Sequence, residues 1–183
     1  ALIPPRGQLE LTLSLNNRFK RDASLVRAVS RLHTRIGLAG EELTADVRLL
    51  VHHHPIASWR FAVPAGFEVL GVASSSACGI ASWSVDADRV LTIVLQEPLN
   101  GQADFSFRLY RTGAASTTAW AFPAFQPLDC ASAVTYVWAW ADRHLACRQL
   151  TSTGLVFQQL AHMPHEADIA LTEDQPLIAA GYA

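Results

Sequence analysis

The stretch VRAVSRLHTRIGLAGEELTADVRLLVHHH, residues 26–54, decides how this chain folds. Its first half can be read at two periods. Leu25, Val29, Leu32 and Ile36 follow helical spacing, whereas Val26, Ala28, Leu32, Ile36 and Leu38 share one face at period two, with Arg27, Arg31, His33 and Arg35 on the other. The second half alternates as cleanly: Leu43, Ala45, Val47, Leu49 and Val51 take one face, and Thr44, Asp46, Arg48 and His52 the other. Between them AGEE (39–42) is turn-like, so the stretch is predicted to be a β-hairpin. The two faces restrict its register, because a buried side must meet a buried side. An even-numbered residue of the first strand must therefore face an odd-numbered residue of the second. Tight hairpins around Ala39–Glu42 that obey this rule put Arg27 opposite either His52 or His54.

The same alternation recurs outward from the hairpin. QLELTLSL (8–15) lines up Leu9, Leu11, Leu13 and Leu15, and SWRFAV, FEVLGV, ASWSV, RVLTIVL, ADFSFRLYR, TTAWAF, AVTYVWAW, HLACRQL and ADIAL follow, separated by turn formers. No helix-length amphipathic run occurs after residue 40, so no βαβ pattern is present. The expected fold is all-β: one two-layer antiparallel β-sandwich over residues 1–183, with jelly-roll and immunoglobulin-like topologies both open. The weakest internal break is near 122–130, at QPLDC (126–130). The opening ALIPPRGQ and the closing LIAAGYA suggest a segment excised from a longer protein.

Composition narrows the function classes. Of 183 residues, 50% are hydrophobic and 16% charged, with a net charge of −2, so neither nucleic acid nor an anionic membrane is a favoured partner. No apolar run reaches the roughly 18 residues of a membrane-spanning helix, and direct membrane insertion of this segment is not expected. The charge is uneven: residues 1–60 carry nine Lys/Arg against five Asp/Glu, and residues 61–183 five against eleven. Two halves packed through complementary fields, or a basic face toward an anionic partner, would each produce this division. Cys78, Cys130 and Cys147 allow one internal disulfide at most, with no CxxC pair. Pairing Cys130 with Cys147 asks a loop to fold back, so free cysteines are expected.

The candidate chemistry is sparse. His52 and His54 sit at i and i+2, a spacing that projects two side chains in parallel and suits a metal. Arg27, Arg31 and Arg48 on the same face oppose a cation by like charge, so these five residues are expected to form a basic face, with His53 turned toward the core. HMPHE (162–166) lacks the His-Glu-x-x-His helix of a zinc peptidase. SSSACG (74–79) lacks the strand–turn–helix setting of a nucleophile elbow, and VDADRV (85–90) reads as a hairpin turn. No phosphate-binding glycine loop occurs. No catalytic residue, metal site or cofactor is therefore assigned, and an enzyme is not expected.

One feature remains. Tyr136, Trp138 and Trp140 share a strand face at i, i+2 and i+4, a spacing of about 6–7 Å that can stack on successive sugar rings. The opposite face, Thr135, Val137, Ala139 and Ala141, is also largely apolar, which allows a strand covered on both sides instead. Trp59, Trp83 and Trp120, single residues in presumed strands, read as core.

The cadence WRFAVPAGFEVLGV, then IASWSVDADRVLTIVLQEPLNGQADFSFRLYR, resembles the β-sandwich modules of large, uncharacterised bacterial envelope-associated proteins over about residues 42–111. This resemblance implies an extracytoplasmic (periplasmic or cell-surface), non-enzymatic scaffold or interaction module within a longer polypeptide, with a protein or polysaccharide partner. The alternatives are a carbohydrate-binding module built on Tyr136, Trp138 and Trp140, and a metal-dependent enzyme around His52 and His54.

Overall fold

A computed structural model describes residues 24–113, 120–145, 156–157 and 178–182. All regular structure among them is β: β1 (Leu25–Ile36), β2 (Gly40–Ala62), β3 (Glu68–Ser74), β4 (Ile80–Val85), β5 (Val90–Thr112), β6 (Gln126–Pro127), β7 (Ser132–Ala141), β8 (Val156–Phe157) and β9 (Ile178–Tyr182). The runs QLELTLSL and HMPHE, and Cys147, lie outside the described residues.

Period two prevails over helical spacing in β1. Val26, Ala28, Ser30, Leu32 and Thr34 are all buried on one side, and the loser is Val29, which the helical reading would bury and the strand leaves 37% exposed. The parity rule holds, since Val26 faces Val51 and Leu32 faces Ala45. The register is nevertheless one step tighter than expected. Ile36 pairs with Glu41, the turn closes with the Gly37 amide donating to the Gly40 carbonyl at 2.8 Å, and Arg27 faces Leu50 while Leu25 faces His52. Gly40 is required at this turn, because a Cβ there would stand 2.5 Å from the Tyr110 hydroxyl and collide with the Arg111 carbonyl. Glu41 and Glu42 belong to β2 and not to the turn.

β2 and β5 are 23 residues long each, and both break register in the middle, between Val51 and Ser58 on β2. This corner carries His53 at φ 75° and Gly101 at φ 102°, left-handed conformations that disrupt the ladder and turn the strand pair. The halves before and after it build different layers. The large layer runs β3, the C-terminal half of β5, the N-terminal half of β2, β1, β7, β9, β8. The second runs β6, the C-terminal half of β2, the N-terminal half of β5, β4. RVLTIVL and ADFSFRLYR are thus two halves of a single strand. The fold is the expected two-layer β-sandwich, with antiparallel ladders except between β1 and β7, which run parallel.

The layers meet through aromatic rings. Phe61 of the second layer packs on Phe107 of the large one at 4.7 Å and stacks on Phe125 at 5.3 Å, and Phe107 meets Phe125 at 4.9 Å. All three are fully buried in one core with Leu43, Leu49, Leu91, Ile93 and Leu109. Phe125 and β6, which pairs with Phe61 and Ala62, stitch the 122–130 stretch to that core. Burying three such rings stabilises the sandwich by several kcal/mol, at roughly 1.5–3 kcal/mol each.

Candidate interaction surface

The outer face of the large layer carries most of the polar residues singled out from sequence. Odd residues of β1 and even residues of β2, β5 and β7 point away from the core there, so ladders running across the sheet place side chains side by side. Arg31 lies between Asp46 on β2 and Tyr136 on β7; His33 lies between Thr44 and Trp138; Arg35 lies between Glu42 and Trp140. Farther across, Arg48 Nε donates to Asp104 Oδ1 at 2.6 Å, the Ser106 hydroxyl donates to Asp46 Oδ1 at 2.6 Å, and Arg108 Nη2 donates to Glu42 Oε1 at 3.3 Å. Arg31, Asp46, Arg48, Ser75, Asp104 and Ser106 line a shallow hollow of about 310 Å³.

The expected basic face is therefore a face of mixed charge. Arg48 is ion-paired with Asp104, and Asp46 sits opposite Arg31 in the register. Sequence alone could not place Asp104, because it is 56 residues from Arg48 along the chain. His52 and His54 are exposed, but at the β2 corner: His52 faces Leu25 at the very end of the β1–β2 ladder, and His54 lies beyond it. His53 is exposed too and does not face the core: its left-handed backbone breaks the alternation that would have turned it inward. Among the described residues no three His, Cys, Asp or Glu side chains come together as a metal site.

The aromatic row has an arrangement that neither sequence reading anticipated. Tyr136, Trp138 and Trp140 occupy the outer face of β7, opposite the sandwich core that receives Val137 and Ala139. His33 lies parallel to Trp138 at 4.6 Å (2°) and to Trp140 at 5.6 Å (13°), and Tyr136 tilts against Trp138 at 6.3 Å. Trp138 is only 6% exposed, while Tyr136 and Trp140 are half-buried. Sugar stacking needs an open ring face, and the middle ring of this row does not offer one. The parallel β1–β7 pair brings His33 to the row, and a strand-local reading of sequence has no signal for it.

Two further placements differ from expectation. Trp83 is 40% exposed at the rim of the second layer, and Trp120 lies outside any strand; only Trp59 is core. Trp120 belongs instead to a buried knot that sequence missed. The Glu41 carboxylate, fully buried, accepts from Arg111 Nη2 at 2.8 and 2.7 Å and from Trp120 Nε1 at 2.8 Å, while the Arg111 guanidinium also lies 4.8 Å above the Phe67 ring. A buried carboxylate is tolerated because it is paired and bonded on both oxygens.

Cys78 and Cys130 are free thiols. Burial, reinforced by the Asp129 carboxylate, pushes the Cys130 thiol from the ordinary 9.0 up to about 11. Asp86 closes the turn before β5 by accepting the Val90 amide at 2.8 Å, the turn role read from VDADRV. No helix long and apolar enough to cross a membrane occurs among the described residues.

No protein-family model matches this chain, and no curated protein matches it. Among solved structures, 64% of the chain is similar to an M1 zinc metallopeptidase from Deinococcus radiodurans, at 15% identity and a TM-score of 0.37. A variant of that enzyme gives a TM-score of 0.40 at 15% identity. The same share of the chain is similar to a non-cellulosomal cohesin from the archaeon Archaeoglobus fulgidus, at 10% identity and a TM-score of 0.37, over 94% of that protein. Of the peptidase, this chain spans 33% of the length.

Proposed function

We propose that this chain is a non-catalytic β-sandwich module of a bacterial surface or envelope protein, which holds a protein partner against the outer face of its large layer. The observation that carries the reading is the make-up of that face. Across β1, β2 and β5 it presents exposed Arg35, Arg48, Ser106 and Arg108, with rows of opposed charges grading into half-buried Tyr136 and Trp140 on β7. Charge rows of this kind fix register and exclude wrong partners, and aromatic rings at one margin supply contact area. The exposed ion pairs add little to the fold, since pairs such as Arg48–Asp104 are worth about 0–1 kcal/mol at the surface. They are therefore free to be re-paired across an interface. The extracytoplasmic setting is what the resemblance of residues 42–111 to envelope-associated modules implies.

Photo-crosslinking tests this. A photoreactive residue replacing Ser106, on the outer face, is expected to capture one defined partner, and the same residue replacing Ser58, on the second layer, is not. Binding of the purified partner then falls in the R35E/R108E double variant and weakens with salt. Equal capture from both faces, or affinity indifferent to the charge reversal, would overturn the reading.

A further inference from the structure

The bend that joins the two layers contains Asn100–Gly101, the only Asn-Gly pair of the chain. On the β2 side the ladder stops at Val51, opposite Gly101, and resumes at Ile56, opposite Leu99. His52 to Pro55 lie across the gap, so Asn100 has no register partner on β2. On the other flank of β5 the β4 ladder reaches only to Leu95, and the β3 ladder begins only at Phe105. Among the described residues Asn100 is therefore held by no ladder on either side, and it is exposed. Gly101 has φ 102°, and the space a Cβ would occupy there is open. A side chain at this position would shield the amide nitrogen that follows Asn100, and glycine leaves it accessible.

From this we infer that Asn100 is a self-modification site, converting to aspartyl and isoaspartyl residues through a cyclic imide. The Gly101 amide nitrogen gives its proton to water or hydroxide and attacks Asn100 Cγ. A C–N bond forms, and the side-chain nitrogen leaves as ammonia. Water then adds to one of the two imide carbonyls and breaks its bond to nitrogen. Opening at Cγ leaves aspartate in an ordinary main chain; opening at the main-chain carbonyl leaves an isoaspartyl link through Cβ and Cγ. One water is consumed, one ammonia is released, and nothing is oxidised or reduced. Ring closure turns the main chain at Asn100, a rotation that ladder pairing would forbid and this gap permits. Either product sets a new carboxylate across the gap from exposed His52, His53 and His54. The isoaspartyl form also adds one carbon to the main chain of β5 where it passes between layers. The site lies at the bend and stands independently of the proposed function.

Ageing the full chain at mildly alkaline pH, followed by peptide mass spectrometry, tests this. The folded wild type is expected to lose the Asn100 amide within about tenfold of the rate of a synthetic peptide spanning residues 95–105, because no ladder has to open first. Chromatography should resolve both isoaspartyl and aspartyl products at residue 100, and the rate should rise with pH as the Gly101 amide loses its proton more readily. The N100Q variant needs a larger ring and should convert at that position about tenfold more slowly or less. A folded chain slower than the peptide by more than about tenfold would mean that the bend is closed to the ring, and would overturn the inference. So would aspartate formed without isoaspartate, the mark of direct hydrolysis, or an N100Q variant that converts as fast as the wild type.

Discussion

Replacing Arg111 by methionine removes two of the three hydrogen bonds that hold the Glu41 carboxylate. The carboxylate is fully buried and keeps only the Trp120 indole, so it becomes an undercompensated charge in the core. Breaking a buried pair from one side costs about 3–5 kcal/mol. The Arg111 side chain is 30% exposed, which screens the pair and puts the expected loss near the low end, about 3 kcal/mol. Glu41→Gln keeps the shape, loses the charge and turns an amide NH2 toward a donor. Hydrogen bonds to charged groups are worth about 1.5–3 kcal/mol, so this variant should lose about 2–3 kcal/mol. Removing the charge from both partners in E41Q/R111M leaves no orphaned charge and should cost less than the sum of the two singles by about 2 kcal/mol or more. Urea unfolding followed by tryptophan fluorescence measures all three, with an unchanged slope required for the comparison. A loss below about 1 kcal/mol in R111M, or additivity in the double variant, would refute the reasoning that this knot is a closed buried ion pair.

Three other consequences can be measured separately. The hydroxyls of Ser30 and Thr34 are fully buried on the core face of β1 and find no hydrogen-bond partner among the described residues, so Thr34→Val should raise stability by about 1 kcal/mol in the same urea assay. Phe61→Ala removes the ring on which Phe107 and Phe125 pack and should cost about 3–5 kcal/mol, read as a lowered thermal midpoint. The Cys130 thiol, raised to about 11, should alkylate slowly at pH 8 and accelerate about tenfold per pH unit up to that value, as followed by peptide mass spectrometry. Because the unfolded thiol ionises first, near 9, the stability it contributes is present below that pH and is lost as the pH rises toward 11.

Much of the fold is legible in one hairpin. Val26 to Thr34 and Leu43 to Val51 state by alternation alone which side is buried, and the parity of their pairing follows, because a one-residue slip would turn every side chain to the wrong face. Alternation is blind to a shift of two, which preserves the faces. The step from Arg27 opposite His52 to Leu25 opposite His52 was settled by Gly40, whose missing Cβ lets the turn close against Tyr110 and Arg111. The triplet His52–His54 was misread at its centre for a similar reason. A backbone torsion at His53 ends the alternation, and the sequence there continues to look like a strand.

What the sequence determined by itself is local: all-β structure, the buried and exposed faces of β1 and β2, the turn at Asp86, and the shared face of Tyr136, Trp138 and Trp140. These follow from period-two patterning and turn chemistry within a few residues. Tertiary structure alone decided which strands became neighbours. It set β1 parallel to β7, so that His33 covers Trp138, and brought Asp104 to Arg48 and Arg111 to Glu41. It also left Trp83 40% exposed on β4, a strand bonded among the described residues to β5 alone. Each of these joins residues dozens of positions apart, and such contacts depend on how the two bent strands β2 and β5 fold one layer over the other, a property no short window of sequence contains.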